Sequence, residues 1–256
     1  MKEIAVSGRV SGLDPSMMYV VYNKEISYEF RDLCHGNPSG GPDHELIEAL
    51  QLKMHDSSVH FYGKNAGNNR LIEYLAREYR VGKNQIVTTP GVSGGLLLSL
   101  FLTTDVGDEV IVTDPAFYSY RNQVRLVGAK PVPLVLGEDN KFSAHQAEKL
   151  VSPKTKALMI ASPANPTGHV ISYPELKSIV AFCERHDLWL LWDAIYKTFA
   201  YDIKALDPLG AYKKLIYLDG FSKPNGIPGW REAFIIFPEE IYGDVVNAQG
   251  SAWIAP

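Results

Sequence analysis

The chain has 256 residues, 46% of them apolar and 21% charged, an ordinary balance for a globular protein with a full core. A formal net charge of −4, with no dense Lys/Arg stripe, excludes nucleic acid as the main partner. Two cysteines, Cys34 and Cys183, make no disulfide framework and fit a reducing compartment. The start, Met1-Lys2-Glu3-Ile4, lacks a signal-peptide pattern, and the most apolar run, Leu96 to Leu102, is too short to span a bilayer. The expectation is a cytoplasmic chain with no membrane partner.

Residues 1–35 are weakly periodic, broken by Gly8, Gly12 and Pro15, and read as an N-terminal arm. A helix is predicted from near Pro42, with Leu46, Ile47, Leu50 and Met54 at helical spacing, and a second from about Asn68 to Tyr79. The rhythm then becomes strand, loop, helix. Strands are predicted at Ile86–Thr89, Glu109–Thr113, Lys156–Ala161, Leu188–Trp192, Lys214–Leu218 and Ala233–Phe237, most of them continuously apolar, as strands covered on both faces are. Helices fall between them at about 92–102, 117–127, 143–150 and 173–186, the last opened by a Ser172/Glu175 capping box. This alternation predicts a three-layer α/β/α fold around a mostly parallel sheet.

Such a sheet binds ligands at the carboxyl ends of its strands. Three segments there carry unlike polar groups: Asn165-Pro166-Thr167-Gly168, then Asp193-Ala194-Ile195-Tyr196, then Ser222-Lys223 with Arg231 beyond. Each has an ordinary alternative: a β-turn, a turn aspartate, a solvated loop lysine. Together they supply an amide, a carboxylate, a phenol, an amine and a guanidinium. Pyridoxal 5'-phosphate (PLP) needs that whole set: an amine for its aldehyde, a carboxylate for its pyridine nitrogen, amide and phenol for its ring oxygen, guanidinium for its phosphate. Gly91-Val92-Ser93-Gly94-Gly95 opens a helix whose free N–H groups suit a phosphate, although glycine there also permits close strand–helix packing. Phe117, in Asp114-Pro115-Ala116-Phe117-Tyr118-Ser119-Tyr120, is either core or a ring to stack on a flat heterocycle. The seven histidines form no metal box.

Taken together, Asn-Pro-Thr-Gly, Asp-x-x-Tyr and Ser-Lys-x7-Arg resemble the class I/II aminotransferases of the fold-type I PLP enzymes, on the aspartate aminotransferase side, from about Gly36 onward. The resemblance implies that Lys223 forms the Schiff base and shuttles a proton, that Asp193 pairs with the pyridine nitrogen, and that Asn165 and Tyr196 bind the ring oxygen. Arg231, Ser222 and the amides of Val92 and Ser93 would hold the phosphate, and Phe117 would stack on the ring. It also implies a homodimer, with Tyr62 reaching the neighbour's phosphate and Gly36 and Asn165 on the substrate side, and amino-group exchange between an amino acid and a 2-oxo acid. A C–S lyase or ACC-synthase-like reaction on a sulfur-bearing amino acid, and a non-catalytic relative, stay open.

Three positions depart from the pattern: Ala194 for a usual glutamate, Gly220 for a frequent phosphate-binding serine, and Glu232-Ala233 for a small apolar residue and glycine. The expected organisation is an arm or part of a small domain over 1–35, and a PLP-binding large domain over 36–256. Relatives continue into a small C-terminal domain bearing an arginine for the substrate carboxylate. The stop at Trp253-Ile254-Ala255-Pro256 reads as mid-chain sequence, so that domain is expected to be missing.

Overall fold

The computed structural model describes residues 6–15, 20, 36–201 and 204–255. A seven-stranded sheet runs in the order β1-β7-β6-β5-β4-β2-β3, with β1 Ile86–Pro90, β2 Glu109–Asp114, β3 Lys130–Val135, β4 Thr155–Ala161, β5 Trp189–Asp193, β6 Leu215–Gly220 and β7 Glu232–Ile236. The pairs β2/β3, β2/β4, β4/β5 and β5/β6 are parallel, while β7 runs antiparallel to both β1 and β6. The predicted mostly parallel α/β sheet is therefore present, with one strand reversed.

The strands form where the apolar runs lie, because helices cover both faces. Leu190, Leu191 and Trp192 of β5 are fully buried, as are Ile216, Tyr217 and Leu218 of β6. Each of the leucines and Ile216 among them contributes about 1.5–3 kcal/mol by leaving water. The helix Gly91–Thr103 packs on β6 and β7, and Tyr173–Arg185 begins with the predicted capping box, Ser172 Oγ accepting from Glu175 N at 3.4 Å.

One strand and one long helix escaped the sequence reading. Lys130–Val135 carries Pro131 and Pro133, which argue against a strand; it is tolerated because β3, among the described residues, is an edge strand paired with β2 alone. Tyr242–Ala252 is a helix whose Gly243 and Gly250 dilute its periodicity. The predicted arm lies largely outside the described residues, apart from a short helix at Gly8–Ser11. Among the described residues no helix is long and apolar enough to cross a membrane.

Candidate active site

The topology brings the predicted groups to one edge of the sheet. Asp193 is the last residue of β5, Asn165 follows the end of β4, and Ser222 and Lys223 follow β6. Because β7 is reversed, its start lies at this same edge, and Arg231 immediately precedes it. β1 runs directly into the helix Gly91–Thr103, so the free N–H groups of its first turn, including those of Val92 and Ser93, lie here too. A cleft of about 1150 Å³ is lined by Gly36, Val92, Ser93, Phe117, Asn165, Asp193, Tyr196, Ser222, Lys223 and Arg231 among others. Of the predicted residues Tyr62 does not line it; its side chain is 84% exposed.

Asp193 is only 4% exposed. Tyr120 donates its hydroxyl proton to Asp193 Oδ2 at 2.6 Å, and the Ile195 N–H donates to Oδ1 at 3.0 Å. Burial pushes the carboxyl up to about 6, against the pull of those two donors, and Asp219 adds to the rise. No cation among the described residues pairs with it. A buried carboxylate at a cleft wall with donors but no counter-charge is a group prepared for a cationic ligand. Tyr120 itself is held well above the usual tyrosine range by burial and then by Asp193, so it stays a proton donor at any working pH. Its ring also meets Phe117 edge-on at 5.6 Å, so one residue braces both the acid and the aromatic wall.

Lys223 donates from Nζ to the Gly36 carbonyl at 2.7 Å. Burial, then the positive charge of Arg231, draws its amine below the ordinary lysine value, toward the neutral form that attacks carbonyls. A Cβ placed on Gly36 would lie 3.5 Å from this Nζ and 3.9 Å from Tyr196 Oη, so the three groups meet at one point. The Tyr196 phenol is raised by burial and by Asp193, while Asn165 beside it opposes the rise.

Arg231 is anchored by Nη1 donating to the Pro228 carbonyl at 2.7 Å. Its fork lies directly over Gly91, where a Cβ would come within 2.2 Å of Nη2. The bare backbone therefore brings guanidinium and helix N-terminus together, an anion cradle with two independent sources of positive potential.

The turn bearing Asn165 is closed by Gly168 N donating to Ala164 O at 2.7 Å. It is tied to the next helix through Glu175, which bonds His169 Nε2 at 3.0 Å and accepts from the Phe142 N–H at 3.1 Å. Tyr120 and His169 were not singled out from the sequence. The signal for Tyr120 was its helical spacing from Phe117 in a stretch already picked out; nothing local marked His169.

Two of the departures prove to be one. Gly220 and Ala233 are directly opposed across β6 and β7, and a Cβ on Gly220 would lie 2.7 Å from that of Ala233. With alanine at 233, position 220 has room only for glycine.

The family model for aminotransferase class I and II matches residues 29–254. The chain belongs to the class I and II aminotransferases. It is 33% identical to aromatic-amino-acid aminotransferase 2 of Thermococcus litoralis and 32% identical to an aspartate aminotransferase of Pyrococcus abyssi. Both alignments cover 96% of this chain and 67% of the relative, so the chain spans about two thirds of their length. Its fold matches that of the aspartate aminotransferase from Thermus thermophilus with maleate at TM-score 0.91 and 26% identity, over 99% of this chain and 70% of that one. Class I and II aminotransferases use PLP, and the donor set here fits that group: a buried carboxylate that no cation among the described residues pairs, a depressed amine, and an anion cradle that a single Cβ at Gly91 would fill.

Proposed function

We propose that this cleft binds PLP and that the chain moves an amino group between an amino acid and a 2-oxo acid. The observation that carries the reading is the placement of an amine of lowered proton affinity, Lys223, in one cleft with a buried acid, Asp193, that no cation among the described residues pairs. Bound PLP would supply an electron sink for a bond to the amino acid's Cα. Asp193 would hold the proton on the ring nitrogen, with Tyr120 keeping the carboxylate oriented. Lys223 would hold the aldehyde carbon and carry the proton to and from Cα. Asn165 and Tyr196 would bind the ring oxygen, Phe117 would cover the ring, and Gly36 would line the substrate side. Arg231, Ser222 and the amides of Val92 and Ser93 would take the phosphate.

In this reading residues 36–256 are the cofactor-binding large domain, with 1–35 an arm, and the protein works in the cytoplasm as a homodimer. Tyr62 would then serve the neighbour's phosphate. The support is the exposure of Tyr62 and of its chain neighbour Phe61, 76% exposed, apolar surface that a second copy would cover. The compartment is supported by cysteine usage, Cys183 being free and buried. The expected result is a long-wavelength PLP absorption band in the wild-type chain that Lys223→Ala abolishes while far-ultraviolet circular dichroism stays unchanged. An unaltered band in Lys223→Ala removes Lys223 from this role.

A further inference from the structure

Behind the cleft, the sheet carries a second polar cluster that the proposed chemistry does not use. Side chains alternate along β6, and Leu218 faces the helix Gly91–Thr103, where a Cβ on Gly95 would lie 3.4 Å from it. Tyr217 and Asp219 therefore point to the opposite face, where Tyr79, the last residue of the helix Asn69–Tyr79, packs its ring 5.8 Å from that of Tyr217. Asp219 is 3% exposed. Its Oδ2 accepts from Tyr79 Oη at 2.7 Å and pairs with Lys197 Nζ at 2.9 Å, while Oδ1 accepts from the Gly220 N–H at 2.7 Å. Lys197 Nζ also bonds Tyr79 Oη and sits 4.0 Å over the Tyr79 ring centre.

The partners matter because of what stands next to them in the chain. Lys197 directly follows Tyr196, and Asp219 lies on the strand that leads into Ser222 and Lys223. After Ala194, whose N–H donates to Leu218 O at 2.8 Å, the backbone bonds of this turn are local: Lys197 N to Ala194 O and Phe199 N to Tyr196 O. The Lys197 side chain reaches out of the turn to a neighbouring strand and a helix end. A buried ion pair is weak evidence for stability, since apolar residues of similar volume serve that purpose as well. Its directional bonds do what packing does not, which is to fix the distance along the strand at which the turn sits.

We infer that Lys197, Asp219 and Tyr79 form a buried clamp that fixes the Tyr196 turn against the Lys223 strand, so that Lys197 and Asp219 are positioning residues for the phenol and the amine of the cleft. The clamp acts through Tyr196 and touches no ligand. The inference rests on the PLP reading above. The charged and titratable groups around it are Tyr217 on its own strand, Asp193 on the neighbouring strand, Asp207, and Glu78 beside Tyr79.

The test uses the PLP-loaded 256-residue chain and follows the absorption band of cofactor held at Lys223 as pH is varied. In the proposed reading that band would report the proton held near the lysine nitrogen, beside which the Tyr196 phenol would bind the ring oxygen. Lys197→Met/Asp219→Asn removes both charges together, so neither is left buried and alone. Its band midpoint is expected to move by about 0.5–1 pH unit, a three- to tenfold change in proton affinity, while Lys197→Arg keeps the wild-type midpoint. Tyr79→Phe deletes one hydroxyl, is expected to fold, and should shift the midpoint in the same direction by a smaller step. An unmoved midpoint in Tyr79→Phe, which removes no charge, overturns the clamp and reduces it to packing whatever the double variant does, because loss of the Asp219 charge also acts directly on Asp193. Absence of any band in the wild type overturns the cofactor reading and the clamp's role with it.

Discussion

Asp193→Asn is expected to stabilise the empty protein at pH 8 and to weaken it as a PLP binder. The two effects have opposite signs because one carboxylate is costly alone and favourable when paired. In the folded chain burial raises the Asp193 carboxyl from 3.8 to about 6. An acid whose folded value is raised contributes stability that is fully present below its unfolded value and lost as pH rises through the folded one. Below about pH 4 the wild type and Asp193→Asn should therefore melt alike. Above about pH 6 the wild type carries a buried charge worth on the order of 3 kcal/mol, and the amide should melt several degrees higher. The amide keeps both local contacts: its oxygen accepts from the Ile195 N–H, and Tyr120 can rotate to accept from its nitrogen. With PLP present the order inverts. Leaving the pyridine nitrogen without its counter-charge should cost about 2–5 kcal/mol, which is roughly 30- to several-thousand-fold in affinity. Thermal melts at both pH values, with and without PLP, read all four cases. An empty Asp193→Asn protein that is less stable than wild type at pH 8 removes the argument that this acid awaits a cation.

Gly91→Ala should be the most damaging single methyl at the phosphate end. Gly91 has φ +73°, where a Cβ meets the backbone, and that Cβ would also come within 2.2 Å of Arg231 Nη2 and 2.8 Å of Cζ. The left-handed conformation costs about 1–2 kcal/mol and overpacking about 1–3, so a loss of about 2–5 kcal/mol in denaturant unfolding is expected. The guanidinium must move, so PLP and inorganic phosphate should both bind at least about tenfold more weakly. Arg231→Ala removes the object of the clash. In that background Gly91→Ala should cost less by 1 kcal/mol or more, a coupling that a double-mutant cycle measures directly. Strict additivity of the two substitutions would mean that Arg231 does not lie over Gly91.

The residues at the strand ends were legible because their information is local. An apolar run followed by a polar residue marks a strand and its carboxyl end together, as in Trp189–Asp193 and Leu215–Gly220. The reading failed where local chemistry spoke against the element, as the prolines of Lys130–Val135 do, or where pairing was long-range. Tyr120 meets Asp193 across 73 positions and Tyr79 meets Asp219 across 140, separations at which a single sequence carries no contact signal. The same holds for Gly220 and Ala233, which look like two unrelated departures in the sequence and form one steric unit across β6 and β7. Charge alone could not have placed the clamp either: Lys197 reads as a surface lysine until Asp219 is found buried beneath it.

The central claim is that Lys223 and Asp193 act on one flat cofactor from opposite ends. Borohydride reduction of the chain with PLP, followed by digestion and mass spectrometry, shows which lysine carries the pyridoxyl group. The account predicts one dominant label at Lys223 in the wild type, and a label at that site that falls sharply in Asp193→Ala at subsaturating PLP. A label spread over exposed lysines such as Lys154 and Lys156, or one at Lys223 indifferent to the loss of Asp193, would contradict it.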